Sequence, residues 1–566
     1  MDTDKRSRQG GLQRVVDAVL EGIAVHLSPP GLLVASVFFA LSLTPSLLPR
    51  TELVQGVLSG CCFAVGYGIG NLAHWLWNFL GLKVPPGRVT RILGVVIALI
   101  CIALVGVALG NANNWQNSVR AVMGMKPVDA GQPLLIASAA MLVALVILAM
   151  GKLLVTFMRL VWRTLTPYVP QRLALLLSVV LVGTVVAFLV DGVVVRSALR
   201  AVDRSYQQLD AVVSTDSAPP ARPRQTGSLQ SLIDWDTIGR DARVYVQSGP
   251  DAEAIAAMTG KPAIEPLRTY VGLRSAKTVE ARARLALAEM QRIGAFDRSV
   301  LVLVMPVGTG WVDRAAIDTL EYLHGGDVAT VAVQYSYLTS WLSLLIEPSY
   351  GSETAQALFH VVYEYWTELP PDRRPRLYLH GLSLGALASQ ESTQLYDVLG
   401  DPFHGALWAG PPFSSSIWGW ATANRQADSP AWLPRFGNSN AIRFLNQSGR
   451  QNWANTAWGP MRTVFLQYAS DPIVFFDPRA DWQRPAWLEA GRGPDVSPAL
   501  NWYPLVTFLQ LALDMALAQT APIGYGHVYA PRDYIDAWLE VTQPQGWSEA
   551  EIDALKRAIP ASEYLP

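Results

Sequence analysis

Apolar positions are nearly continuous over the first 200 residues, and then give way to short apolar runs alternating with helically spaced ones. Five runs in the first block are long enough to cross a bilayer, which takes about 20 residues. They are Gly31–Leu48, Leu53–Trp77, Ile92–Gly110, Leu134–Leu154 and Leu173–Val195. The first lies well inside the chain, lacks a small-residue cleavage site and is followed by Arg50, so it does not read as a cleaved signal. Ahead of it, Leu12, Val15, Val16, Val19, Leu20 and Ile23 recur at helical spacing, which fits an interfacial helix or a plain soluble one.

Lysine and arginine set the expected orientation. The tail carries Lys5, Arg6, Arg8 and Arg14, the second loop Lys83, Arg88 and Arg91, and the fourth Arg159, Arg163 and Arg172. The intervening loops hold only Arg50, Arg120 and Lys126. Positive loops stay in the cytoplasm, so the N-terminus is expected there and, with five spans, everything after Val195 outside. Arg196, Arg200 and Arg204 run against that placement. Gly56-x-x-x-Gly60 with Gly66, Gly68 and Gly70 predicts close helix packing. Asn71, His74 and Asp191 are polar groups at membrane depth and so candidates for function, although their place near span ends lets them reach the interface.

The pattern changes at Ser214–Gln230, "STDSAPPARPRQTGSLQ", which reads as a linker. Beyond Ile233 the period itself changes. Ser299–Met305, Asp327–Tyr335, Arg376–Leu379, Gly405–Ala409 and Thr463–Tyr468 read as strands. Asp313–Leu323, Glu353–Trp366 and Ala386–Leu395 read as helices between them. Unbroken apolar strands separated by helices predict a mostly parallel sheet covered on both faces. The expected organisation is a tail at 1–30, a membrane domain at 31–205, a linker at 206–232 and a globular domain at 233–566.

Composition agrees with this division. Hydrophobic residues make up 51% and charged residues 16% of the chain, too apolar for an ordinary soluble protein. A net charge of -1 leaves no basic footprint for nucleic acid. Cys61, Cys62 and Cys101 all fall in apolar runs and read as small core residues, not as a disulfide framework. No zinc-type Cys/His spacing and no Walker loop occurs, so neither a metal nor a cofactor is expected.

The candidate chemistry lies in "YLHGLSLGALAS", Tyr378–Ser389, where Gly381-Leu-Ser383-Leu-Gly385 sits between a strand and a helix. A serine there is lifted above the sheet by a tight corner, and flanking glycines let neighbouring backbone pass closely. Where such a corner carries the nucleophile, the acid and then the histidine follow it in chain order. Of seven histidines only His404 and His527 follow Ser383. His404 precedes the strand Gly405–Ala409 and so sits at its wrong end. His527, in the glycine-bearing loop "IGYGHVY", is left as the base that takes the serine proton. Asp471 is the first carboxylate after the strand "TVFLQY" and the expected acid, holding the histidine tautomer; Asp477, Asp481 and Asp495 are rivals. The oxyanion hole needs two backbone N–H groups. Leu384 supplies one, and "PVGTGW", Pro306–Trp311, the other, from Thr309 or Gly310.

With these residues in view, the C-terminal half resembles the α/β-hydrolase superfamily. The whole chain resembles the actinobacterial membrane-bound α/β-hydrolase family, which joins an N-terminal multi-span domain to a C-terminal hydrolase domain. The resemblance is carried by "SLTPSLLPR" (Ser42–Arg50), "GAFDRSVLVLVMPVGTGWVD" (Gly294–Asp313), "EYLHGGDVATVAVQYSYLTSWLS" (Glu321–Ser343), "RPRLYLHGLSLGA" (Arg374–Ala386), "ALWAGPPF" (Ala406–Phe413) and "YASDPIV" (Tyr468–Val474). It implies an N-terminal helical transmembrane bundle, a C-terminal α/β-hydrolase fold and a serine hydrolase, with the pattern falling on Ser383, Asp471 and His527. One departure stands out: no final strand is evident before His527, and Trp502–Gln519 reads as an apolar helix instead. Insertions near 414–460 and 473–520 are expected to form caps, rich in aromatics such as Trp418, Trp420, Trp432 and Trp482. An apolar cap beside a membrane domain points to a lipid or long-chain acyl-ester substrate, although ordinary packing claims most such residues. The expectation is a multi-pass plasma-membrane serine hydrolase of the cell envelope, esterase- or lipase-like, with its catalytic domain outside. An acyltransferase using the same trio is the alternative, and a non-catalytic scaffold or transporter subunit a second one.

Overall fold

The structure, a computed structural model, describes residues 28–82, 87–129, 131–188, 218–336, 349–450, 456–489 and 491–564. The expected tail helix, Asp191 and the arginines Arg196, Arg200 and Arg204 lie outside these residues. The chain divides into two compact units. One comprises residues 1–121, 126–195 and 499–510; the other comprises 122–125, 196–498 and 511–566.

Among the described residues of the first unit, four helices are long and apolar enough to cross a bilayer: Glu52–Phe79, Gly87–Val122, Pro133–Leu165 and Gln171–Phe188. The first expected span is not among them. Its residues form the helix Pro29–Ser42, 14 residues long, about 21 Å against a hydrocarbon core of about 30 Å. Pro45 and Pro49 lack the N–H that a continuing helix needs. The odd span count behind the expected outward placement is therefore not found among the described residues. The glycine spacing does what it predicts. A Cβ on Gly56 would fall 2.5 Å from Ala139 Cβ and one on Gly60 2.6 Å from the Ala140 carbonyl oxygen, so Glu52–Phe79 and Pro133–Leu165 meet backbone to backbone. Gly66 and Gly70 face Pro29–Ser42 in the same way, whereas Gly68 faces open space.

The polar groups of "SLTPSLLPR" are buried and bonded. Gln55 Nε2 donates to the Ser42 carbonyl at 2.9 Å, and Ser42 Oγ to Ser59 Oγ at 2.8 Å. Gln510, from the segment 499–510 that belongs with this unit, donates to the Thr44 carbonyl at 3.0 Å. Each bond satisfies a group that burial would otherwise penalise. Asn71 and His74, by contrast, are exposed.

The described residues of the second unit are built on seven parallel strands. These are β1 (Leu267–Val271), β2 (Val300–Met305), β3 (Val328–Val333), β4 (Arg376–Leu382), β5 (Gly405–Ala409), β6 (Ile442–Leu445) and β7 (Arg462–Leu466), in the order β1-β3-β2-β4-β5-β7-β6. Every residue of β2 and β3 is buried, as strands covered on both faces must be. Two strands escape the sequence pattern because each carries a buried arginine. In β1, Arg268 is paired with Asp318 at 2.5 Å and Glu321 at 2.6 Å. In β6, Arg443 is paired with Glu540 at 2.5 Å. The stretch 414–460, expected to be a cap, therefore supplies the edge strand of the sheet. Part of the expected linker is also packed: Thr226 is fully buried and donates to the Arg268 carbonyl at 3.0 Å. Among the described residues no strand separates β7 from His527, and the helix Val506–Ala516 occupies that place. The adjacent strands β2, β4, β5 and β7 all end at the same edge, where ligands of parallel sheets bind.

Candidate active site

β4 runs directly into the helix Leu384–Gln390, and Ser383 is the corner between them. Its backbone has φ 57° and ψ -126°, a conformation L-residues adopt only when their surroundings impose it. Those surroundings explain the two glycines. A Cβ on Gly381 would lie 2.3 Å from the Gly385 carbonyl carbon, and one on Gly385 2.1 Å from the Met305 carbonyl oxygen at the end of β2. The corner is pinned on its other side by the Ser383 N–H, which donates to the Ala409 carbonyl of β5 at 3.0 Å.

Asp471 lies five residues past β7. Its N–H turns back to the Tyr468 carbonyl at 3.0 Å, and its side chain caps the helix Pro472–Phe475. Oδ1 accepts the Ile473 N–H at 2.8 Å. Oδ2 is 2.7 Å from His527 Nδ1 and accepts the Tyr529 hydroxyl at 2.7 Å. An ionised carboxylate only accepts hydrogen bonds, so Nδ1 carries a proton, and in the neutral imidazole the free lone pair is then on Nε2. Nε2 is buried and has no hydrogen-bond partner among the described residues. Two of the rival carboxylates, Asp477 and Asp495, are engaged elsewhere. Asp477 caps the turn that Asp481 closes, and Asp495 Oδ2 accepts the Ser470 N–H at 2.9 Å.

His527 is held by its loop. Its N–H donates to the Ala518 carbonyl at 3.1 Å, and the preceding Gly526 N–H donates to Ser470 Oγ, next to Asp471, at 2.9 Å. Serine and histidine meet the same β5 corner: Ala409 receives the Ser383 N–H, and a Cβ on the next residue, Gly410, would fall 2.6 Å from His527 Cε1. All three side chains are buried, Asp471 completely, Ser383 4% and His527 6% exposed. His404 is elsewhere. It lies before β5, and its Nδ1 accepts the Leu377 N–H at 3.2 Å.

The expected oxyanion donors fare differently. The N–H of Leu384 opens its helix and has no acceptor among the described residues. In the loop after β2, the Gly310 N–H donates to the Val307 carbonyl at 2.8 Å and the Val307 N–H to the Trp311 carbonyl at 3.0 Å. Gly310 is therefore not a free donor, and its own carbonyl takes the Tyr270 hydroxyl at 2.6 Å. The N–H groups of Gly308 and Thr309 have no such acceptor among the described residues, while the Thr309 carbonyl is fixed by Gln334 at 3.1 Å.

Sequence reasoning missed the layer behind the site. Tyr529, Tyr468 and Tyr534 are buried, and each donates its hydroxyl to a buried aspartate: Asp471, Asp533 and Asp313 respectively. Burial pushes Asp313 up to about 6, with Tyr534 and the charge of His527 acting against it. His380, one position before Gly381, is pushed down to about 4 by burial and stays uncharged, bonded through Nδ1 to the Leu407 carbonyl at 2.8 Å.

Comparison with known proteins places the chain. The profile of the alpha/beta-hydrolase family matches residues 267–555, and that of the alpha/beta-hydrolase family N-terminus matches 43–250. No curated protein and no solved structure matches it.

Proposed function

We propose, from the premise that this chain belongs to the alpha/beta-hydrolase family, that it is a membrane-anchored serine hydrolase cleaving an acyl ester. The observation that carries the reading is the Asp471–His527 pair at 2.7 Å, set against the same β5 corner as a serine at φ 57°. Ser383 Oγ attacks the acyl carbonyl while its proton passes to Nε2 of His527. Asp471 stabilises the imidazolium that forms. The N–H of Leu384, with that of Gly308 or Thr309, receives the developing oxyanion. His527 then gives the proton to the departing alcohol, leaving an ester on Ser383. Water, deprotonated by the same nitrogen, releases the acid and restores the serine.

A lipidic acyl group is the proposed substrate class. Four helices suited to a bilayer share the chain with the site. Most aromatics of the insertions are structural: Trp418 Nε1 donates to Gln467 and Trp487 Nε1 to the Phe475 carbonyl. Trp420 and Trp482, on segments that follow β5 and β7, remain exposed and suit a lipid interface. Because Ser383 and His527 are almost closed to solvent, transfer of the acyl group to an alcohol in place of water is the second reading. The test is turnover of acyl esters of increasing chain length by the full chain in detergent, with and without added alcohol. Release of free acid that Ser383→Ala reduces to background supports hydrolysis. Ester exchange that needs the alcohol supports transfer, and turnover unchanged in Ser383→Ala refutes both.

A further inference from the structure

We infer that Tyr529 is a positioning residue for this reaction: by donating to the Asp471 oxygen that also holds His527, it fixes the acid and tempers the basicity of the imidazole. The inference rests on the serine-hydrolase reading above. Asp471 Oδ2 receives two donors at the same distance, 2.7 Å from His527 Nδ1 and 2.7 Å from the Tyr529 hydroxyl. Oδ1 is taken by Ile473 N–H, so the fully buried carboxylate has no freedom to turn.

The phenol is equally fixed. Its ring stacks on Tyr468 with centroids 4.5 Å apart and planes 20° from parallel. Tyr534 lies 6.2 Å away on the same ring, and the backbone of Gly410 closes the edge, since a Cβ there would fall 2.9 Å from Tyr529 Cε2. Tyr468 and Tyr534 spend their hydroxyls on Asp533 and Asp313, so neither competes for Asp471. Burial and the Asp471 charge hold the Tyr529 phenol far above its usual range, so it remains a donor.

A hydrogen bond to a carboxylate draws charge from the oxygen it reaches. The imidazolium at that oxygen is then less stabilised than it would be by a carboxylate with one donor fewer, and His527 is a weaker base. The other groups facing His527 are Asp313, whose charge reaches it, and Ser383 across the β5 corner. Asp495 stands behind the acid through Ser470. None of them is hydrogen-bonded to Tyr529, so Tyr529→Phe removes no bond of theirs.

The experiment measures the rate of covalent labelling by a fluorophosphonate against pH, on the full chain in detergent. That rate rises as His527 loses its proton. Tyr529→Phe should move the midpoint up by about one pH unit, close to tenfold in basicity. Replacing Tyr529 with difluorotyrosine, which keeps the shape and donates more strongly, should move it down. Opposite displacements separate charge tuning from packing, and the second variant does not depend on the first one folding. Midpoints that coincide in all three proteins, or move in the same direction, would overturn the inference while leaving the serine-hydrolase reading intact. A wild type whose labelling does not require Ser383 would overturn both.

Discussion

Replacing Asp471 with asparagine puts the geometry of the acid under direct strain. The carboxylate accepts three donors, two on Oδ2 and one on Oδ1, and an amide accepts on one side only. If the amide oxygen takes the shared position, its NH2 faces the Ile473 N–H. If it turns the other way, NH2 faces both His527 and Tyr529, and the imidazole must change tautomer so that Nδ1 accepts from it. Either way a buried donor goes unpaired, at about 1–3 kcal/mol of stability. The effect on rate is larger. Charges about 4 Å apart at an effective dielectric constant near 20 interact by about 4 kcal/mol, and this stabilisation exists only once His527 is protonated. The expected loss is therefore between about 10³ and 10⁴ in the second-order constant for fluorophosphonate labelling. The thermal midpoint in detergent, measured on the same sample, reports whether the fold survives. An Asp471→Asn protein that melts within a few degrees of wild type and labels within tenfold of it would refute this assignment of the acid.

Gly410→Ala tests the corner shared by serine and histidine. Alanine at φ 50° costs about 1–2 kcal/mol, and its Cβ would meet His527 Cε1 at 2.6 Å. Labelling should fall by about a hundredfold with only a modest drop in melting temperature; labelling near wild type would mean that the imidazole is not where the site requires it. Asp533 tests the layer behind. Burial raises it from 3.8 to about 6, so between those values the unfolded chain binds fewer protons and stability falls as pH rises. The loss, about 3 kcal/mol for such a displacement, is complete above pH 6. Asp533→Asn cannot ionise and still accepts the Tyr468 hydroxyl, so it should gain on wild type by roughly that amount between pH 4 and pH 7 in melting experiments. A difference constant over that range would contradict the assignment.

What was legible in the sequence was whatever depends on local period and spacing. β2, β3, β4, β5 and β7 read directly as apolar runs, and chain order and strand ends singled out Asp471 and His527, which the structure sets 2.7 Å apart. The helix in place of a final strand was also visible, because Trp502–Gln519 carries no strand pattern. The rest was hidden for identifiable reasons. β1 and β6 carry Arg268 and Arg443, whose partners Asp318, Glu321 and Glu540 are remote in sequence, so local polarity argued against strands that tertiary pairing made possible. The stretch Gly31–Leu48 has a span's apolar character, but its prolines end the helix at Ser42. Gly310 was an attractive oxyanion donor until the turn bond to Val307 used its N–H. Tyr529 gave no sign of its role because a buried hydroxyl takes its meaning from what it faces.

The central claim is that Ser383 is the nucleophile. Its most direct test is to label the full chain with a fluorophosphonate, digest it and locate the adduct by peptide mass spectrometry. The account predicts one adduct, on Ser383 within the Gly381–Gly385 peptide, absent from Ser383→Ala. An adduct on another residue, or equal labelling of the Ser383→Ala protein, would contradict it.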